Sequence, residues 1–137
     1  MNLRLNKIEH LGIAVKSINE GNTLYTKILG VAPYKEEVVE HEGVRTSFFQ
    51  VGPNKIELLE ALHSNSPIAK YIKKRGEGLH HVAYAVHDIR AEMTRLENDG
   101  FQLLNSEPKL GADNKLVCFL HPKETSGTLI ELCQERS

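Results

Sequence analysis

With 137 residues the chain has room for one well-buried core and too little for two independent ones, so any internal duplication has to share a core. Its 17 Lys and Arg against 18 Asp and Glu leave a formal charge of −1, which excludes the broad basic surface of a nucleic-acid binder. No stretch reaches the roughly 20 apolar residues that cross a bilayer, so no membrane partner is expected, and MNLRLNKIEH lacks the apolar centre of a secretion signal.

The first apolar strand pattern is IEHLGIAV, Ile8 to Val15, followed by a polar turn containing Ile18. A helical pattern comes next, with Leu24, Tyr25, Ile28 and Leu29 as its sheet-facing stripe and Gly30 as its C-cap. Two strand-like runs, VRTSFFQVG and NKIELLEAL, complete this stretch. A connecting segment runs from Ala61 to Gly78, in which Ser66 reads as an N-cap with Pro67 at the first helical position. Lys70, Lys73, Lys74 and Arg75 then form the solvated, cationic end of that short helix.

The pattern then begins again. LHHVAYAV, Leu79 to Val86, repeats IEHLGIAV at an offset of 71 residues, and Ile89 repeats Ile18 at the same offset. A helix carrying Ile89, Met93 and Leu96 ends at Gly100, read as a C-cap matching Gly30, and KLVCFLHP and GTLIELCQ follow as strands. The organisation read from this is one domain, 1–137, made of a first module (about 6–62), a connecting helix (about 66–75) and a second module (about 78–135). Cys118 and Cys133 fall in apolar strand runs without CxxC spacing, so they read as buried free thiols of a protein from the reducing cytoplasm.

Polar residues that recur inside apolar strands require a chemical reason. His10 and His81 occupy the same place in the two copies, and Glu57 between Ile56 and Leu58 matches Glu131 between Ile130 and Leu132. A carboxylate flanked by Ile and Leu is costly to bury unless a positive partner neutralises it. Two imidazoles and two carboxylates suit a divalent cation: Co²⁺, Mn²⁺, Ni²⁺, Fe²⁺ or Zn²⁺ rather than Ca²⁺. Strand alternation alone leaves Glu9 and His80 as alternatives to their neighbours; the duplicate register favours His10 and His81. His41, His63, His87 and His121 read as surface residues at turns and strand ends.

Together IEHLGIAV, LYTKILGV, NKIELLEAL, SPIAKYI, GEGLHHVAYAV and FLHPKETSGTLIEL resemble the methylmalonyl-CoA epimerase family of the vicinal oxygen chelate superfamily, which also holds glyoxalases, bleomycin-resistance proteins and extradiol dioxygenases. The resemblance runs along nearly the whole chain. It implies an α+β fold of two tandem βαβββ modules forming a curved, barrel-like mixed sheet around a metal site, commonly in a homodimer. It implies that His10, Glu57, His81 and Glu131 are the metal ligands, with Glu57 standing where relatives often carry Gln, and that Co²⁺ is the favoured ion.

The activity implied is interconversion of (R)- and (S)-methylmalonyl-CoA, an acyl-CoA substrate, by α-proton transfer through a metal-stabilised enolate, in propionate metabolism. Glu131 would serve as one catalytic carboxylate, and the other would come from GluHisGluGlyVal, with Glu42 favoured over Glu40. Lys123 is a substrate-binding candidate for the carboxylate, and Lys109, in the EPKLGADNK loop, a further one for the acyl-CoA. Two alternatives share the module: a glyoxalase I-type lyase acting on lactoylglutathione, and a drug-binding resistance protein without enzymatic activity. The intact set of four ligand residues argues against the second, and the FLHPK segment against the first.

Overall fold

The computed structural model describes residues 5–136, which fold into three α-helices and eight strands in two successive βαβββ arrangements. By packing they form two units, His10–His80 and the described parts of Met1–Glu9 with His81–Ser137.

In the first unit, β1 (Leu5–Ala14) contributes residues His10 to Ala14, which pair in parallel with β4 (Asn54–Ala61). β3 (Val44–Val51) runs antiparallel to β4 and to the edge strand β2 (Lys35–Val39). α1 (Ile18–Leu29) starts where the Ser17 side chain accepts from the Glu20 amide, and the Ile18 N–H donates to the Glu60 carboxylate at 2.7 Å. Gly30, at φ +74°, ends it in the left-handed conformation.

The helix face that meets the sheet differs from the expected stripe. Ile18 and Gly21 are buried and Tyr25 and Leu29 partly so, whereas Leu24 and Ile28 are exposed. The spacing 18, 21, 25, 29 follows the helical period, and residues 24 and 28 fall just off that stripe. Gly21 lets the helix approach closely, since a Cβ there would lie 2.9 Å from Leu58 Cδ1. α2 (Pro67–Arg75) is capped by Ser66, whose hydroxyl accepts from the Ala69 amide, and it packs through Ile68 against Ala14 and Leu59.

The second unit repeats these devices. β5 (Gly78–Val86) pairs in parallel with β8 (Ile130–Glu135), and β7 (Lys115–Leu120) runs antiparallel between β8 and the two-residue β6 (Lys109–Leu110). α3 (Ile89–Asn98) is capped by Asp88, and the Ile89 N–H donates to the Gln134 side chain at 2.7 Å, the counterpart of Ile18 and Glu60. The C-cap is Asp99 rather than Gly100, which follows at φ +95° and donates to the Glu97 carbonyl. β2 and β6 had no apolar run to announce them, and Lys109 lies on β6 rather than in a loop. No helix among the described residues is long and apolar enough to cross a membrane.

Two features have measurable consequences. Gly43, at φ +69°, closes the 3₁₀ turn Glu40–Glu42, and a Cβ there would sit 2.8 Å from Ser66 Cβ. Gly43→Ala therefore meets both left-handed strain and a clash with the start of α2, and is expected to cost about 2 kcal/mol in a denaturant titration. Cys118 is fully buried under α3, and that burial, reinforced by the negative charge of Glu131, pushes its thiol up from 9.0 to about 12. Because the thiolate is the nucleophile, Cys118 is expected to resist iodoacetamide at pH 8 in the native protein and to react only after unfolding, as peptide mass mapping would read.

Candidate metal centre

Side chains alternate across a strand, so the strands of each unit turn one face to α1 or α3 and the other face away from it. In the first unit Ile13, Val15, Phe49, Ile56 and Leu58 pack around Ile18, Tyr25 and Leu29 of α1. The opposite face carries His10, Gly12 and Ala14 of β1, Glu57 and Leu59 of β4, and Thr46 and Phe48 of β3. In the second unit Tyr84, Val86, Cys118 and Leu132 face α3, and the opposite face carries His81 and Ala83 of β5, Glu131 and Cys133 of β8, and Val117 and Phe119 of β7.

The register is duplicated residue for residue. Glu57 lies opposite Gly12 on one side and Phe48 on the other, while Glu131 lies opposite Ala83 and Phe119. In each case the histidine stands two residues before the parallel partner, hence on the carboxylate's face. His10 Nδ1 is 3.1 Å from Glu57 Oε2, with both side chains nearly inaccessible. His81 Nε2 is 3.2 Å from Glu131 Oε1, equally shielded. Each unit therefore holds one buried imidazole–carboxylate pair, and within each pair the imidazole offsets part of the cost of taking the carboxylate out of water.

The alternatives left by strand alternation separate on burial and contact. His80 is half-buried with its ring edge-on to Tyr71 at 4.8 Å, away from the face that bears His81. Glu9 is buried at 4%, as is His10, so burial alone does not distinguish those two. Glu40 is exposed, whereas Glu42 is partly buried at the last position of its 3₁₀ turn, with His41 Nε2 3.8 Å from its Oε1. Lys123 is exposed in the 3₁₀ turn Pro122–Glu124, its amide donating to His121 Nδ1. His41, His63 and His87 are exposed, and His121 is half-buried as the N-cap of that same turn.

Two aromatic residues belong to this arrangement and were not singled out from the sequence. Phe48 is fully buried opposite Glu57, with Lys35 Nζ 4.8 Å from its ring centre. Phe119, opposite Glu131, meets the His81 ring edge-on at 6.2 Å and has Lys109 Nζ 5.6 Å from its own ring centre. Phe48 and Phe119 share the 71-residue offset of the histidines, which was the available signal.

The donor chemistry fits a divalent cation. Each pair sets one imidazole nitrogen beside one carboxylate oxygen, 3.1 Å apart in the first unit and 3.2 Å in the second, and this mixed nitrogen and oxygen set is one that such ions accept.

Known proteins resemble the chain in sequence and in fold along nearly its whole length. The model of the Glyoxalase/Bleomycin resistance protein/Dioxygenase superfamily matches residues 9–119. The ethylmalonyl-CoA/methylmalonyl-CoA epimerase of Cereibacter sphaeroides is 39% identical over 95% of this chain and 98% of its own. The crystal structure of methylmalonyl-CoA epimerase from Mycobacterium tuberculosis superposes with a TM-score of 0.94 at 32% identity, covering 98% of this chain and 91% of that one. Streptomyces coelicolor methylmalonyl-CoA epimerase in complex with 2-nitronate-propionyl-CoA gives 0.93 at 31% identity, covering 97% and 99%. With a matching family model over most of its length and full-length relatives above 30% identity, the chain belongs to the glyoxalase/bleomycin resistance/dioxygenase superfamily and, within it, to the family of the methylmalonyl-CoA epimerases, which are isomerases.

Proposed function

We propose that the chain is a metal-dependent epimerase that interconverts (R)- and (S)-methylmalonyl-CoA by moving the α-proton. The observation that carries this reading is the duplicated imidazole–carboxylate pair, His10 with Glu57 and His81 with Glu131, in a chain that has among its full-length relatives one named as an epimerase of that thioester. His10, Glu57, His81 and Glu131 together would hold one divalent cation, Co²⁺ foremost, with Mn²⁺, Ni²⁺, Fe²⁺ or Zn²⁺ able to use the same donors. Such a cation supplies Lewis acidity at the thioester oxygen and a rigid two-point grip on a malonyl head.

Inversion needs one group to take the proton from one face of the α-carbon and another to return it on the opposite face. Glu131 and Glu42 fill these roles, each carrying the proton on a carboxylate oxygen. The partial burial of Glu42, against the exposure of Glu40, supports the choice between them. Lys123, exposed and next to His121, offers a positive charge to the acyl-CoA. The two free, buried cysteines support a reducing cytoplasm. A homodimer would cover apolar side chains exposed on and after α1 and on β2: Leu24, Ile28, Val31, Tyr34 and Val38.

Purified protein incubated with methylmalonyl-CoA in D₂O is expected to incorporate deuterium at the α-carbon, to lose this exchange on chelation and to regain it with Co²⁺. His81→Ala should lose metal retention and exchange together, by more than the about 10–100-fold typical of outer-shell changes. Absence of exchange in metal-replete protein would move the assignment to another chelate chemistry, such as isomerisation of a glutathione hemithioacetal. Glu42→Gln is expected to retain metal while kcat falls by about 10²–10⁴; a fall in Glu40→Gln instead would transfer the role to Glu40.

A further inference from the structure

Thr46 has a hydroxyl that the fold does not use. The residue is 1% exposed, and its Oγ1 has no hydrogen-bond partner among the described residues. A hydroxyl buried in this state is destabilising relative to a paired one, because it has given up its hydrogen bonds to water without replacement. Its strand neighbour Val44 and its β4 partner Leu59 are apolar, and Leu59 packs with Ile68 of α2; its β2 partner Glu37 pairs with Lys35 at 3.7 Å, and its carboxylate makes no hydrogen bond to the Thr46 hydroxyl.

The second module makes the same point. Phe48 opposite Glu57 corresponds to Phe119 opposite Glu131, so the counterpart of Thr46, two residues earlier, is Val117. Val117 is buried in an apolar cluster with Ala83 and Cys133. One βαβββ frame thus accepts valine where the other carries an unsatisfied hydroxyl.

Thr46 shares the face of β3 and β4 that carries Glu57, and it is the diagonal neighbour of Glu57 across the strand pair. Diagonal neighbours stand about 7–8 Å apart, a distance a malonyl head spans when it is gripped beside Glu57. His10 and Glu57, at 4% and 5% exposure, are nearly as deep as Thr46, so a head that reaches them reaches its level. We infer that the Thr46 hydroxyl donates a hydrogen bond to the free carboxylate oxygen of a bound 2-alkylmalonyl thioester, and so orients the substrate head on the first module. This inference rests on the epimerase reading.

The test compares metal-replete wild type, Thr46→Val and Thr46→Ser in thermal melts and in steady-state epimerisation of methylmalonyl-CoA. Thr46→Val removes the hydroxyl at nearly constant shape. Its melting temperature should equal or exceed that of wild type, its KM should rise about tenfold and its kcat should stay within about twofold. Thr46→Ser should restore the wild-type KM. An unchanged KM in Thr46→Val overturns the inference and leaves the epimerase reading standing. A lowered melting temperature in Thr46→Val that Thr46→Ser does not restore also overturns it, in favour of packing. A wild type with no epimerisation overturns the epimerase reading and the inference with it.

Discussion

A carboxylate in the middle of an apolar strand is the constraint around which the rest of the molecule is arranged. Glu57 and Glu131 each sit between branched aliphatic neighbours that belong to the helix-facing side of the sheet. Water cannot stabilise their charge at that depth, so each requires a partner of fixed position. The parallel pairing of β4 with β1, and of β8 with β5, supplies one, because the register sets a histidine on the same face as the carboxylate. Slipping either pair by one residue would turn its histidine to the helix side and leave the carboxylate without that partner.

The same requirement explains the repeated helix entry. Three residues beyond each carboxylate, Glu60 or Gln134 accepts the first amide of the following helix, from Ile18 or Ile89. The helix start is thereby tied to the strand that bears the ligand candidate, and the Ile side chain at that point is buried beneath the helix. Thus α1 and α3 are oriented by the strands that hold Glu57 and Glu131. The aliphatic clusters beneath them supply the apolar burial.

Much of this was legible because a duplication turns single-residue guesses into coincidences. IEHLGIAV and LHHVAYAV located the parallel strands, and KIEL with LIEL located their carboxylates. What escaped had weaker local signals. β2, KEEVV, is an edge strand whose mostly exposed side chains carry no apolar alternation, and β6 has two residues. Leu24 and Ile28 were assigned to the sheet face because they are apolar, but one helix face has room for only one stripe and Gly21 is part of it. Phe48 and Phe119 escaped because nothing local distinguishes an aromatic residue facing a carboxylate from one facing a helix. The depth of Thr46 requires strand pairing to be known.

The two units differ in how they are drawn from the chain. The His10–His80 unit is one continuous stretch, whereas the other combines residues before His10 with those after His80, and Leu5 packs with the cluster under α3. Vectorial synthesis delivers the first of these complete while the second still lacks most of its strands. Leu5 must then wait for the cluster under α3, Val86 to Leu132, to emerge. The contact of Leu5 with that cluster therefore closes a long loop among the described residues and is expected to form late in folding.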